Sequence, residues 1–137
     1  MNLTSIFIPL LIQITLTLVM FILLGIRKTK AIKAGGVDRK AAALDNSAWP
    51  EAVVKVSNNI ANQFQTPVLF YVLCITFQVT NNVSTLVLAL AWIYCISRLV
   101  HAYVHIGSNF IPARLRAFMI GALTLLVMTV IAFVSVI

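Results

Sequence analysis

Charged residues are scarce in this sequence, and acidic residues are scarcest of all. Only 9% of the 137 residues are charged, with three acids against ten Lys and Arg. Soluble domains carry roughly a quarter charged residues, so the composition excludes an ordinary soluble core. With a mean hydropathy of +1.04 and long apolar runs, the sequence predicts an all-α integral membrane protein.

Cysteine is also nearly absent. Cys74 and Cys95 are the only two, and both fall within apolar runs. They are predicted to be small buried apolar side chains, with no role in a disulfide or a metal site.

The positive charge is concentrated in one part of the chain. Six of the ten basic residues lie within residues 27–40, and the net charge is +7. In a soluble protein this excess would suggest nucleic acid as a partner. In a membrane protein it indicates a cytoplasmic segment that contacts anionic lipid headgroups, so membrane lipids are predicted as partners and nucleic acid is not.

Four apolar runs are long enough to cross a bilayer, which takes about 20 residues in a helix. They cover residues 4–26, 51–79, 83–105 and 116–137. They predict a single domain over residues 1–137, a bundle of four transmembrane helices. Gln13 is the only strongly polar side chain of the first run and is expected to face a neighbouring helix, and Pro67 predicts a kink in the second run.

The hydrophilic connection over residues 27–52 sets the predicted orientation. Asp38 is expected to cap a short helix over residues 39–44. The excess of Lys and Arg places this loop, together with Arg114 and Arg116, on the cytoplasmic side of the inner membrane. The turn at residues 80–84 and both termini are then expected on the opposite side.

A first polar stripe follows the second span. Lys55, Asn58, Asn62 and Gln65 recur at helical spacing and share one face. Amide side chains both donate and accept hydrogen bonds. The stripe therefore predicts either a ligand site or polar contacts between packed helices.

A second polar stripe follows the third span and consists of Tyr94, Arg98, His101 and His105, with Tyr103 on the opposite side. An Arg in a spanning helix costs about 2.5–3.5 kcal/mol on insertion scales. The three acids, Asp38, Asp45 and Glu51, lie in the basic loop or at its edge, so none is placed to pair with Arg98 and its charge predicts an anionic ligand. The alternative is that Arg98 extends to lipid headgroups or bonds backbone carbonyls.

The two histidines have the spacing of a helical zinc pair, but a third ligand is not evident from the sequence. Hydrogen bonding to a ligand or a neighbouring helix is predicted for His101 and His105, and no metal. Arg114 either marks the membrane boundary or reaches the pocket, where a positive charge would favour an ionised thiol.

Two short motifs resemble those of the MAPEG family, the membrane-associated proteins in eicosanoid and glutathione metabolism. Asn62, Gln65 and Pro67 resemble the family's Asn-x-x-Glu followed by Pro at the start of the second helix. Arg98 and His101, followed by Arg114, resemble its third-helix motif and the Arg that opens the fourth helix. The resemblance covers most of the chain and includes the four spans and the basic first loop.

The resemblance implies a homotrimer of four-helix bundles that binds glutathione between subunits near the cytoplasmic side. It implies a glutathione-dependent transferase or peroxidase that acts on lipophilic electrophiles, in which Arg114 is catalytic and stabilises the thiolate. By the same resemblance, a further group of side chains binds the cofactor: Asn58, Asn62, Gln65, Arg98, His101 and His105.

The chain departs from the family's pattern at two of these positions. Gln65 stands where the enzymes have Glu, and His105 stands where several members have Tyr. A neutral amide at position 65 favours a second hypothesis, in which the protein has the same fold but binds an anionic lipid or a partner protein without catalysis. A third hypothesis is a small proton-coupled transporter, in which His101 or His105 would carry the proton.

Overall fold

The structure is a computed structural model that describes residues 6–137, and it is built almost entirely of helices. The helices are α1 (Phe7–Ala34), α2 (Arg39–Leu44), α3 (Glu51–Gln63), α4 (Thr66–Val79), α5 (Thr85–Ile106) and α6 (Ile111–Val136), with a 3-10 turn at Asn46–Ala48. Within the described range, four segments are long and apolar enough to cross a membrane: Phe7–Ala34, Glu51–Val79, Thr85–Ile106 and Ile111–Val136. This confirms the predicted all-α membrane bundle, although residues 4 and 5 of the predicted first span lie outside the described residues.

The first helix is longer than its apolar run. It continues past the expected end at residue 26 to Ala34 and carries four of the basic residues on its last two turns. Arg and Lys have high helix propensity, and their long side chains reach water from a helix that leaves the bilayer. Gly35 and Gly36 end the helix at φ of 81° and 82°, a conformation that glycine adopts without strain. The connection therefore covers residues 35–50, and the predicted boundary of 27–52 was wrong at its start.

The connection between α1 and α3 is held by local hydrogen bonds. The Asp38 carboxylate accepts from the backbone N–H groups of Lys40 and Ala41 at 2.9 and 3.2 Å, which confirms the predicted cap of α2. Trp49 donates from Nε1 to the Ala42 carbonyl at 3.1 Å. At the 3-10 turn, hydrogen bonds from the Ser47 hydroxyl and then from its backbone N–H lower the pKa of the Asp45 carboxyl.

The second membrane segment is interrupted near its middle. α3 ends at Gln63, α4 begins at Thr66, and Phe64 and Gln65 lie between them. Pro67 falls in the first turn of α4, where its missing N–H removes no helical hydrogen bond. The predicted kink is confirmed, and it places Gln65 at a helix break, outside regular helix.

The last helix begins five residues earlier than its hydropathy indicated. α6 begins at Ile111, with Pro112 in its first turn, and the predicted start at residue 116 was wrong. The fixed φ of proline suits the first turn of a helix, and hydropathy alone is insensitive to it. Arg114 therefore lies on the first turn of α6.

Hydrogen bonds between distant segments show which helix ends meet. Arg27 of α1 donates to the carbonyl of Ala52 at 2.7 Å and to that of Ile106 at 3.4 Å. These contacts gather the end of α1, the start of α3 and the end of α5. At the opposite end, Asn82 donates to the Ser135 carbonyl at 3.3 Å.

Buried apolar side chains of residues 6–137 form two clusters. The cluster nearer the basic end is formed by Met20, Val56 and Ile60. The larger cluster lies toward the other end, and its centre is the stacked pair Phe70 and Tyr94, whose ring centroids are 4.4 Å apart. Three polar residues of α1 and α3 are also fully buried: Gln13, Asn59 and Gln63.

Candidate functional site

A polar pocket of about 520 Å³ lies between α3, α5 and α6 and opens to the surface. Its volume falls within the range of about 300–1,000 Å³ that is typical of small-molecule sites. It contains six of the seven side chains that the sequence nominated: Asn58, Asn62, Gln65, His101, His105 and Arg114. The remaining lining residues are Ala61, Ile111, Leu115 and Phe118.

The α3 wall of the polar pocket consists of amide groups. Asn62 donates from Nδ2 to the backbone carbonyl of Asn58 at 3.0 Å, and Asn58 accepts at Oδ1 from Asn46 Nδ2 at 3.2 Å. Gln65 is exposed at the helix break. Lys55, which the sequence placed on the same stripe, instead pairs with Glu51 at 2.7 Å outside the pocket.

The α5 wall presents the two histidines. Their ring centroids lie 5.5 Å apart in an edge-on arrangement, and His101 lies 6.2 Å from the ring of Phe118. The Nδ1 atom of His101 is buried and has no hydrogen-bond partner among the described residues. Tyr103 is 78% exposed on another face of α5.

Arg98 does not line the polar pocket. It is 1% exposed, and its guanidinium carbon lies 6.0 Å from the ring centroid of Phe118, which does line it. All three of its side-chain nitrogens are buried without a partner in the described part of the chain. Within residues 6–137, Arg98 therefore bonds no backbone carbonyl, and its burial argues against the alternative that it extends to lipid headgroups.

Arg114 is held at the edge of the pocket by the turn that precedes α6. Its Nη1 donates to Asn109 Oδ1 at 2.6 Å. Asn109 has a φ of 53°, a left-handed conformation that asparagine tolerates better than most residues. The turn thus orients the one guanidinium that lines the pocket.

Two residues near the site were not singled out from the sequence. Asn59 and Gln63 are one turn apart on the inner face of α3, and both are buried. Gln63 accepts from Gln13 Nε2 at 2.6 Å, which confirms that Gln13 faces a neighbouring helix. Both residues recur at the spacing of the buried Val56 and Ile60, and this periodicity was the available signal.

Hydrogen-bond donors and positive charge dominate the pocket. None of the ten lining residues is acidic, while the guanidinium of Arg114 and the three amides all offer N–H groups. Arg98 adds a second positive charge, which is buried and lies close to the ring of Phe118. Such an arrangement suits a ligand with carboxylate or peptide oxygens. Across residues 6–137, no cluster of three His, Cys, Asp or Glu residues could hold a metal ion.

A family model confirms the class of protein that this fold and pocket indicate. The model of the MAPEG family matches residues 6–134, and the chain belongs to this family. The family includes glutathione transferases and peroxidases as well as non-catalytic members. No curated protein and no solved structure matched the chain in the corresponding searches.

Proposed function

We propose that the protein is a glutathione-dependent transferase or peroxidase that acts on lipophilic electrophiles. The observation that supports this most is the polar pocket, because residues from three separate helices that resemble the family's motif positions line a single cavity. Family membership supports the same reaction class.

The donor set of the pocket fits glutathione, a tripeptide with two carboxylates and one amino group. The N–H groups of Arg114, Asn58 and Asn62 suit carboxylate and peptide oxygens. The unpartnered charge of Arg98 favours a net anion in the adjacent pocket. For the amino group, the amide oxygen of Gln65 offers an acceptor, although a weaker one than a carboxylate.

Bound glutathione would supply a thiol that, once ionised, is a nucleophile and a reductant of peroxides. The role of Arg114 is to stabilise negative charge on that sulfur, since a nearby cation favours the ionised form. Asn109 supports this role by orienting the guanidinium.

An apolar groove next to the pocket supports a lipophilic second substrate. The groove has a volume of about 550 Å³, lies between α4 and α6, and begins at Thr66, the residue after Gln65. Its remaining lining residues are apolar apart from one threonine: Leu69, Val72, Leu73, Ala122, Leu125, Leu126 and Thr129. A hydrophobic molecule dissolved in the bilayer could enter it without crossing water.

The proposal includes a homotrimer in the inner membrane with the basic end of the bundle in the cytoplasm. Large apolar side chains are exposed along α4, including Leu69, Val72 and Val79, and they suit contact with lipid or with another copy. The helix ends joined by Arg27 carry half of the ten basic residues, which supports the orientation.

Binding of glutathione to the purified protein in detergent or nanodiscs tests the proposal directly. Titration calorimetry and thermal shift at millimolar glutathione should show binding to the wild type, and Arg114→Ala should weaken turnover of a lipophilic electrophile. Arg116→Ala is the matched control, because Arg116 is exposed two residues further along α6 and does not line the pocket. A folded wild type without any response to glutathione would refute the enzyme proposal.

Gln65 favours a second candidate function, the binding of an anionic lipid or a partner protein without catalysis. Gln65→Glu separates the two functions. Glutathione binding that appears only in this variant would assign the natural chain to the non-catalytic function. Binding by both proteins supports the enzyme.

A further inference from the structure

Four buried side chains form a continuous hydrogen-bonded series across α1, α3 and α5. Gln13 Nε2 donates to Gln63 Oε1 at 2.6 Å, and Gln63 Nε2 donates to Asn59 Oδ1 at 3.1 Å. Asn59 Nδ2 then lies 3.4 Å from His105 Nδ1. We call Gln13, Gln63 and Asn59 the amide relay. It ends on a histidine that lines the polar pocket.

The amide relay has a direction, because an amide nitrogen only donates and an amide oxygen only accepts. The oxygens of Gln63 and Asn59 each accept from the preceding amide, so Asn59 presents its NH₂ group to His105. The facing Nδ1 atom must therefore accept and carries no proton. In a neutral imidazole the single proton then resides on Nε2.

We propose that the amide relay fixes His105 as the Nε2–H tautomer, so that this histidine donates a hydrogen bond to the ligand in the polar pocket. The part that concerns the ligand rests on the function proposed above, whereas the tautomer follows from the amide relay itself. Asn59 and Gln63 are then positioning residues that act on the ligand through His105.

The opposite direction of the amide relay, with every amide reversed, is less favourable at Gln13. In the direction described, the group left without a partner within residues 6–137 is one buried oxygen, Gln13 Oε1. Reversing every amide would place the NH₂ of Gln13 at that position, with two N–H groups unsatisfied. Buried N–H groups without an acceptor are rarer in proteins than under-used carbonyl oxygens, so the end of the relay selects its direction.

The tautomer determines what the pocket recognises at this point. His105 Nε2 has no hydrogen-bond partner among the described residues, and the ring lines the pocket, so this atom is left to meet a ligand. With Nε2–H it binds an acceptor, namely a carboxylate or a peptide carbonyl. The opposite tautomer would present a lone pair and would favour a donor such as an amino group.

Nitrogen-15 NMR of histidine-labelled protein in nanodiscs reads the tautomer without any ligand. The chain has only two histidines, and His101→Phe leaves the His105 signals alone in the spectrum. We expect the population of the Nε2–H tautomer of His105 to exceed that of the Nδ1–H tautomer by on the order of tenfold. A single buried hydrogen bond can sustain such a ratio. A protonated Nδ1 in the wild type would overturn the proposal.

Changing the donor at position 59 provides the stronger test. Asn59→Asp replaces the NH₂ group with an acceptor and should move the proton to Nδ1. If the Asp variant does not fold, Asn59→Leu takes its place and should weaken the preference for Nε2–H to the smaller one of a free imidazole. Gln78→Leu is the matched control, because it removes a buried amide oxygen elsewhere in the bundle and should leave the tautomer unchanged. A His105 tautomer that is insensitive to both substitutions at position 59 would refute the amide relay.

Glutathione titration of the same variants tests the ligand part. His105→Phe should weaken binding by about tenfold through loss of one hydrogen bond, and His105→Gln, which keeps an N–H donor, should recover part of it. If NMR shows the expected tautomer but neither the wild type nor any variant binds glutathione, the proposed function is refuted and the amide relay remains supported. Equal binding by wild type and His105→Phe would refute the recognition role of His105.

Discussion

The guanidinium of Arg98 lies 6.0 Å from the ring centroid of Phe118, yet its three nitrogens have no hydrogen-bond partner within residues 6–137. Phe118 lines the polar pocket, so an unpaired positive charge lies close to one of the residues that form the pocket wall. The charge is unfavourable for the ligand-free protein and favourable for an anion in the pocket.

Arg98→Met should therefore have opposite effects on stability and on binding. Removing an unpaired buried charge relieves its desolvation penalty, and replacing buried ions with apolar side chains is often neutral or stabilising by about 1–4 kcal/mol. We expect an increased melting temperature without glutathione and a smaller increase on adding it. Thermal shift of the detergent-solubilised protein measures both.

The matched control is Arg116→Met, which removes an exposed guanidinium from α6. This substitution should leave the melting temperature without glutathione, and its increase on adding glutathione, close to those of the wild type. A lower melting temperature for Arg98→Met in the absence of any ligand would show that Arg98 contributes to folding, contrary to this prediction.

Gly121 allows α6 to approach α5 closely. A Cβ atom at this position would lie 2.9 Å from Ser97 Oγ and 3.5 Å from Tyr94 Cε2. Gly121→Ala should destabilise the protein by about 1–3 kcal/mol, the usual cost of overpacking. Adding Ser97→Ala removes the closest atom and should restore part of the loss in an unfolding titration.

Gly25 provides the comparison for that substitution. It lies within α1, and a Cβ atom there would meet nothing within 4 Å. Gly25→Ala should be neutral or slightly stabilising, because alanine has the higher helix propensity. Equal losses at positions 25 and 121 would contradict the packing argument.

Arg27 joins three segments at the basic end of the bundle through the carbonyls of Ala52 and Ile106. Arg27→Ala should lower stability by about 1 kcal/mol, since the site is partly exposed and its hydrogen bonds are weakened by water. Lys33→Ala removes an exposed cation of the same helix and should have little effect. Equal unfolding midpoints for the two variants would contradict the prediction.

The proposed orientation can be tested with single cysteines in intact cells. Ser47→Cys lies in the connection before α3, and Asn82→Cys lies in the turn before α5. Cys74 and Cys95 are buried and should react slowly. An impermeant maleimide should label position 82 from the periplasmic side and position 47 only after permeabilisation, and the reverse pattern would contradict the orientation.

The sequence predicted the membrane segments well because a bilayer constrains length and polarity strongly. Hydropathy misplaced two helix boundaries. The end of α1 lies eight residues later than predicted because of helix propensity, and the start of α6 lies five residues earlier because Pro112 suits the first turn of a helix. The end of α1 involves basic residues such as Arg27 and Lys33, which remain helical outside the apolar run.

Six of the seven nominated site residues line one pocket because helical spacing determines which residues share a face. Spacing does not determine depth, and Arg98 was found behind the pocket lining. Asn59 and Gln63 were overlooked since their role depends on which helix packs against them. The periodicity of α3 indicates that both side chains are buried, but the helix that they contact is tertiary information.

The hydrogen bond between Gln13 and Gln63 joins residues 50 positions apart, and both side chains are fully buried. Gln13→Leu leaves Gln63 Oε1 without its donor. Hydrogen bonds between membrane helices contribute about 0.6–2 kcal/mol, and we expect a loss of that size in the free energy of unfolding.

A double-mutant cycle isolates the interaction between these two side chains. Gln13→Leu combined with Gln63→Leu should lower the free energy of unfolding by less than the sum of the two single substitutions. The reason is that Gln63→Leu removes an acceptor that Gln13→Leu has already left without its donor. Thr15→Val is the control, since among the described residues the Thr15 hydroxyl bonds only the Leu11 carbonyl of its own helix and is exposed. Strict additivity in the cycle would mean that the 2.6 Å contact contributes nothing to holding α1 against α3.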